Sequence, residues 1–64
     1  MIVIFPDGST QSLGGSACTI EALLTRFGIN PLEVVVSVND RIIPEDAVVG
    51  GDDRVRIIRI AHGG

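Results

Sequence analysis

The apolar positions of this chain change period along its length, and each change marks an element. MIVIF, residues 1–5, is a short run of branched and aromatic residues and predicts a strand. PDGS follows with turn chemistry: Pro6 has its φ fixed, Asp7 can hydrogen-bond locally, and Gly8 can take positive φ. TQSL then returns as a second strand, polar enough for a sheet edge, which makes residues 1–13 a hairpin. Gly14 and Gly15 loosen the chain before the period shifts. In CTIEALLTRFG, Ile20, Leu23, Leu24 and Phe27 fall at i, i+3, i+4 and i+7, the single apolar stripe of an amphipathic helix. Gly28 stands where a left-handed C-terminal cap belongs, Ile29 can fold back on the last turn, and Pro31 prevents resumption. At the other end Cys18 and Glu21 have capping-box spacing. A thiol caps weakly, so Thr19 is expected to share that role.

The period then returns to two. In EVVVSVN, Val34, Val36 and Val38 alternate with Val35, Ser37 and Asn39, a half-buried strand. Asn39 and Asp40 suit a two-residue turn because both tolerate the left-handed region. RII returns briefly until Pro44, PEDAVV reads as a turn or one helical turn, GGDD as the last turn and RVRIIRI as the last strand. The order is strand, strand, helix, short strand pair, final strand. One helix covers only one face of a sheet. The expected fold class is therefore α+β, with a four- to five-stranded mixed sheet cradling one main helix, and its other face meets water or a partner.

The last strand points to where that partner would sit. Val55 and Ile57 fit the helix-covered face, which sends Arg54, Arg56, Ile58 and Ile60 to the open one. Since Ile57 and Ile58 are adjacent, one isoleucine must point outward under either assignment. An outward isoleucine flanked by arginines is a docking patch on this reading, with an ordinary contact to Val35 as the alternative.

Composition narrows the function. Sixty-four residues make one domain with a small core, built from Val, Ile and Leu around Phe5 or Phe27. There is no second domain to hold a substrate, which counts against a self-contained enzyme. Apolar runs of a few residues fall far short of the ~20 needed to cross a bilayer, no signal-peptide pattern is present, and Cys18 is the single cysteine. A cytoplasmic location with no membrane partner is the expectation, and one cysteine supports neither a disulfide nor a structural metal site.

The net charge is −3 and is unevenly placed. Residues 1–53 carry two arginines against eight acids, whereas residues 54–64 carry Arg54, Arg56 and Arg59 and no acid side chain. The acidic body argues against direct nucleic-acid binding, which needs clustered positive charge. Lysine is absent, so the only amine is that of Met1.

Beyond the last strand stand Ala61, His62, Gly63 and Gly64. Four extended residues reach about 13 Å, enough to carry the Gly64 carboxylate into a pocket of another protein. Glycines suit a narrow channel because they lack a Cβ. His62 has no partner acid in sequence and reads as a spacer.

VNDRIIPED, GGDDRV and RIIRIAHGG, together with the element order, make the chain resemble the ubiquitin-like sulfur carriers, the family that includes the ThiS and MoaD carriers. The stretch from Asn30 to Gly64 is most similar to small archaeal modifier proteins and bacterial relatives that serve tRNA thiolation. The resemblance implies a β-grasp domain over residues 1–60 and a flexible tail over 61–64. It also implies a mechanism in which an E1-like enzyme consumes ATP to adenylate Gly64, and a sulfur donor converts it to a thiocarboxylate. The protein would then be a carrier and not a catalyst, with no bound cofactor. Its further partners would be a sulfurtransferase and a sulfur-accepting synthase or thiolase, with tRNA, thiazole and molybdopterin left open as destinations.

By the same resemblance Ile58, Ile60 and Arg56 would dock the activating enzyme; the carry-over is firmer for Ile58 than for Arg56, Arg59 and His62. Cys18 has no counterpart and is read as structural. The alternative function is a modifier joined through Gly64 to lysines of target proteins. Chains of such a modifier would have to grow on Met1, which disfavours polymers. A third possibility is a plain binding module.

Overall fold

Val3 and Val55 lie side by side on neighbouring parallel strands, both with no exposed surface, and the rest of the molecule is arranged around them. In the computed structural model, which describes residues 1–60, the strands are β1 (Ile2–Ile4), β2 (Thr10–Ser12), β3 (Cys18–Thr19), β4 (Val34–Val38), β5 (Arg41–Ile43), β6 (Val48–Val49) and β7 (Arg54–Arg59). One α-helix, α1, spans Ile20–Arg26, and a short 3-10 turn spans Pro31–Glu33. The expected tail, Ala61 to Gly64, lies outside the described residues.

Five strands form one mixed sheet in the order β2-β1-β7-β4-β5. β1 and β7 are parallel, and the other pairs are antiparallel. The α+β class and the five-strand count agree with the sequence reading, and α1 covers one face. Ile20, Leu23 and Leu24 from the helix meet Val3, Val36, Val55 and Ile57 from the sheet. Phe27 closes the stripe by standing edge-on to Phe5, ring centroids 5.0 Å apart.

The local signals act through identifiable contacts. In the first hairpin Asp7 Oδ1 accepts from the backbone N–H and the hydroxyl of Ser9, at 2.9 and 2.7 Å, while Gly8 takes φ 89°. Thr19, not Cys18, caps the helix: its Oγ1 accepts from the Ala22 N–H at 3.1 Å. Cys18 instead belongs to β3, which pairs with β6 as a separate two-stranded sheet. At the C-terminal end Gly28 (φ 69°) donates to Thr25 and Ile29 donates to Leu24, the doubly bonded left-handed cap that the Gly-Ile pair foretells. Asn39 and Asp40 both take positive φ and close the β4–β5 hairpin.

PEDAVV makes a turn closed by Ala47 N–H donating to Pro44, and then the strand β6. A helical turn is not formed there, because its carbonyls have another use. Glu45 and Ala47 accept from the N–H groups of Glu21 and Ile20, two of the donors a helix start leaves unpaired.

Candidate functional site

The face of the sheet turned away from α1 follows from the strand registers, since residues directly paired across strands share a face. One row runs Thr10, Ile4, Arg56, Ser37, Ile42, and the next pairs Ile58 with Val35. Ile2 and Arg54 form a third row. Ile58 is 39% exposed and Ile60 41%, while Ile57 is 1% exposed. The face assignment made from sequence therefore holds, and Arg56 is exposed beside the apolar residues. Ile58 also lies against Val35, so the contact and the outward patch are both present.

Sequence reasoning missed the far side of this face. Ile42, 65% exposed, extends the apolar surface to the β5 edge, and Ile2, 44% exposed, extends it to β1. The signal was available: Ile42-Ile43 is an adjacent pair like Ile57-Ile58, so one of the two must point away from the core.

β7 is held at both ends. At its start Asn39 Oδ1 accepts from the Arg54 N–H at 3.0 Å, and the Asn39 N–H donates to the Arg54 carbonyl at 2.9 Å. The Asn39 amide also donates to Asp53 Oδ1 at 3.1 Å, and Gly50 N–H donates to Asp53 Oδ2 at 3.0 Å. The Gly50 N–H and then the Asn39 amide hold the Asp53 carboxyl below its ordinary value. At its end the Ile60 N–H donates to the Glu33 carbonyl at 2.9 Å, so the chain is still paired one residue before Ala61.

Arg59 points to the other side of β7 from Ile58 and borders a shallow groove with Phe5, Phe27 and Ile29, rimmed by Asp7. Ser9, chiefly through its hydroxyl, holds the Asp7 carboxyl below its ordinary value. Among the described residues no group of three His, Cys, Asp or Glu side chains could hold a metal ion, and no helix is long and apolar enough to cross a membrane. Ala61, His62, Gly63 and Gly64 fall outside the described residues, so the site is seen here as a face and a tail root.

No curated protein matches this sequence. Among solved structures, the crystal structure of the thiamine biosynthesis protein ThiS from Geobacter metallireducens is 21% identical, with a TM-score of 0.71 and full coverage of both chains. An NMR solution structure of a thiamine biosynthesis protein from the same organism is 20% identical, with a TM-score of 0.62, covering all of this chain and 88% of that one. At these identities the likeness establishes the fold, and that fold is the ubiquitin-like β-grasp. The family small archaeal modifier protein 2 matches residues 2–61, all of the described residues but Met1, together with Ala61. This chain belongs to the small archaeal modifier protein 2 family.

Proposed function

We propose that this protein is a carrier whose own C-terminal glycine is its reacting group. An E1-like enzyme docks on the open face through Ile58, Ile60 and Arg56 and draws Ala61–Gly64 into its ATP site. A carboxylate is ionised at neutral pH and is a poor electrophile. Attack of one Gly64 oxygen on the α-phosphate of ATP releases pyrophosphate and leaves an acyl adenylate, whose AMP is a good leaving group. A persulfide or thiolate delivered by a sulfurtransferase then displaces AMP. After a persulfide attacks, a second thiol attacks the sulfurtransferase sulfur of the acyl disulfide; the S–S bond breaks, that thiol and the sulfurtransferase are left as a disulfide, and the released thiocarboxylate goes to a synthase or thiolase.

Family membership is the observation that carries this reading. The geometry supports it: β7 presents an outward isoleucine beside arginine, two residues before Ile60, the last described residue ahead of Ala61–Gly64. The chain supplies no catalytic residue in this scheme, and ATP is consumed by the partner.

A second reading shares the activation step. The family is one of modifiers by description, which favours transfer of the Gly64 acyl group to lysines of other proteins. One experiment tests the common step and separates the two outcomes. The chain, with an E1-like enzyme from the same cells and ATP, should support exchange of pyrophosphate into ATP, and deletion of Gly64 should abolish it while the fold persists. Exchange unaffected by the deletion would refute both readings. Intact mass of the protein isolated from its cells, with Cys18→Ser so that thiol alkylation reports only the terminus, then distinguishes a thiocarboxylate from attachment to other proteins.

A further inference from the structure

The activated terminus proposed above is an acylating agent, and the chain carries two groups of its own that would turn it into a lasting amide or thioester ring; an acyl-imidazole at His62 would hydrolyse, and the hydroxyls react far more slowly. With no lysine present, the two groups are the Met1 amine and the Cys18 thiol. Attack by either on the Gly64 carbonyl, with loss of the leaving group, would close the chain into a dead-end ring.

The topology places both away from the tail root. β1 and β7 are parallel, with Ile2 opposite Arg54, so Met1 lies beside the start of β7 while the tail departs from its end. The six residues of β7 rise roughly 20 Å, and Ala61–Gly64 reach back about 13 Å at most. The Met1 amine is also tied in place, donating to the Leu13 carbonyl at 3.0 Å and the Gly51 carbonyl at 2.6 Å. Fraying of the first residue would have to break both bonds.

Cys18 occupies the same end. It pairs with Val49, and Ala17 packs so closely on the neighbouring Gly50 that a Cβ there would stand 3.0 Å from the Ala17 Cα. From Cys18 the chain climbs α1 to Phe27, which meets Phe5 near the tail root. That climb is about 13 Å at 1.5 Å per residue, about the tail's full extension, and the width of the core between the helix and β7 must be crossed in addition. The thiol is also only half-exposed.

We infer that this fold holds the chain's only amine and only thiol at the end opposite the tail root, so that an activated Gly64 forms no amide or thioester with its own chain and is consumed by another molecule. The inference rests on Gly64 as the activated group, yet its test needs no activating enzyme. A failure of adenylation therefore leaves it standing, and its own failure leaves adenylation standing.

The experiment uses the 64-residue chain made with a simple alkyl thioester at Gly64, kept dilute at neutral pH and followed by intact mass. Ring closure through Cys18 exchanges one thioester for another and releases the alkyl thiol. Closure through Met1 forms an amide and releases the same thiol plus a proton. Either ring is one water lighter than the hydrolysed linear acid. The folded chain should give hydrolysis without a ring, whereas the same chain in concentrated guanidinium, where its ends meet freely, should form the ring at least about tenfold faster. A ring formed by the folded chain at the unfolded rate would overturn the inference. So would an unfolded chain that forms none, because protection would then lie in the groups and not in the fold.

Discussion

Ile57 and Ile58 are consecutive in β7, and the sheet separates them completely: Ile57 is 1% exposed among the core residues, and Ile58 is 39% exposed on the opposite face against Val35. The same strand therefore serves the core on one side and presents an exposed apolar side chain on the other. Ile57→Ala should cost about 2–4 kcal/mol, read as a fall of about 8 °C or more in Tm, at roughly 4–8 °C per kcal/mol for a domain of this size. Ile58→Asp should leave Tm within a few degrees and weaken binding to the activating enzyme. Thermal melts of both variants beside a binding titration decide it, and an Ile58→Asp chain that unfolds at room temperature would place that side chain in the core.

Arg56 shares a row with Ile4 and Ser37 on the open face, so its charge is presented on the same face as Ile58. Arg56→Glu should slow association with the activating enzyme and reverse the salt dependence of that rate, because exposed charges govern encounter more than dissociation. An association rate equal to wild type across a salt series would remove Arg56 from the interface.

The helix is set by two caps at its ends. Thr19→Ala removes the oxygen that accepts from Ala22 and should cost about 1 kcal/mol. Gly28→Ala puts a Cβ on a residue at φ 69° and should cost about 1–2 kcal/mol. Denaturant midpoints are the measurement, with Glu21→Gln, at an exposed first-turn position, as a near-neutral control.

Gly50 and Gly14 make a matched pair. A Cβ at Gly50 would meet the backbone of Ala17 at 3.0 Å, while one at Gly14 would meet nothing within 4 Å. Gly50→Ala should destabilise by about 1–3 kcal/mol by forcing β3 away from β6, and Gly14→Ala should be close to neutral. Equal urea midpoints for the two variants would contradict the close approach.

Acid should loosen the molecule in a stated window. Asp53 and Asp7 are held below their ordinary values by donated hydrogen bonds, so the stability they add is complete above about pH 4, the unfolded value, and is lost as pH falls through the lower folded values. Urea midpoints should fall on acidification below about pH 4. Asp53→Ala should lower the midpoint at neutral pH and make that acid decline shallower; a decline unchanged by the substitution would assign it to other groups.

Near neighbours along the chain set the Asp7-Gly8 turn, the helix stripe with its Gly28 cap, the Asn39-Asp40 turn and the outward Ile58, all legible in the sequence. Each follows from a residue's own φ preference or from the period of apolar positions within one element. Tertiary structure alone decided the parallel pairing of β1 with β7, the β3–β6 pair, the choice of Thr19 over Cys18 as cap and the meeting of Phe5 with Phe27. Two-residue strands such as Cys18–Thr19 and Val48–Val49 are too short to show a period. Their pairing is held by contacts between segments some thirty residues apart, where Glu45 and Ala47 satisfy the start of α1. A local pattern states which way a side chain must face, whereas the partner it faces is chosen by the burial and hydrogen bonding of the whole domain.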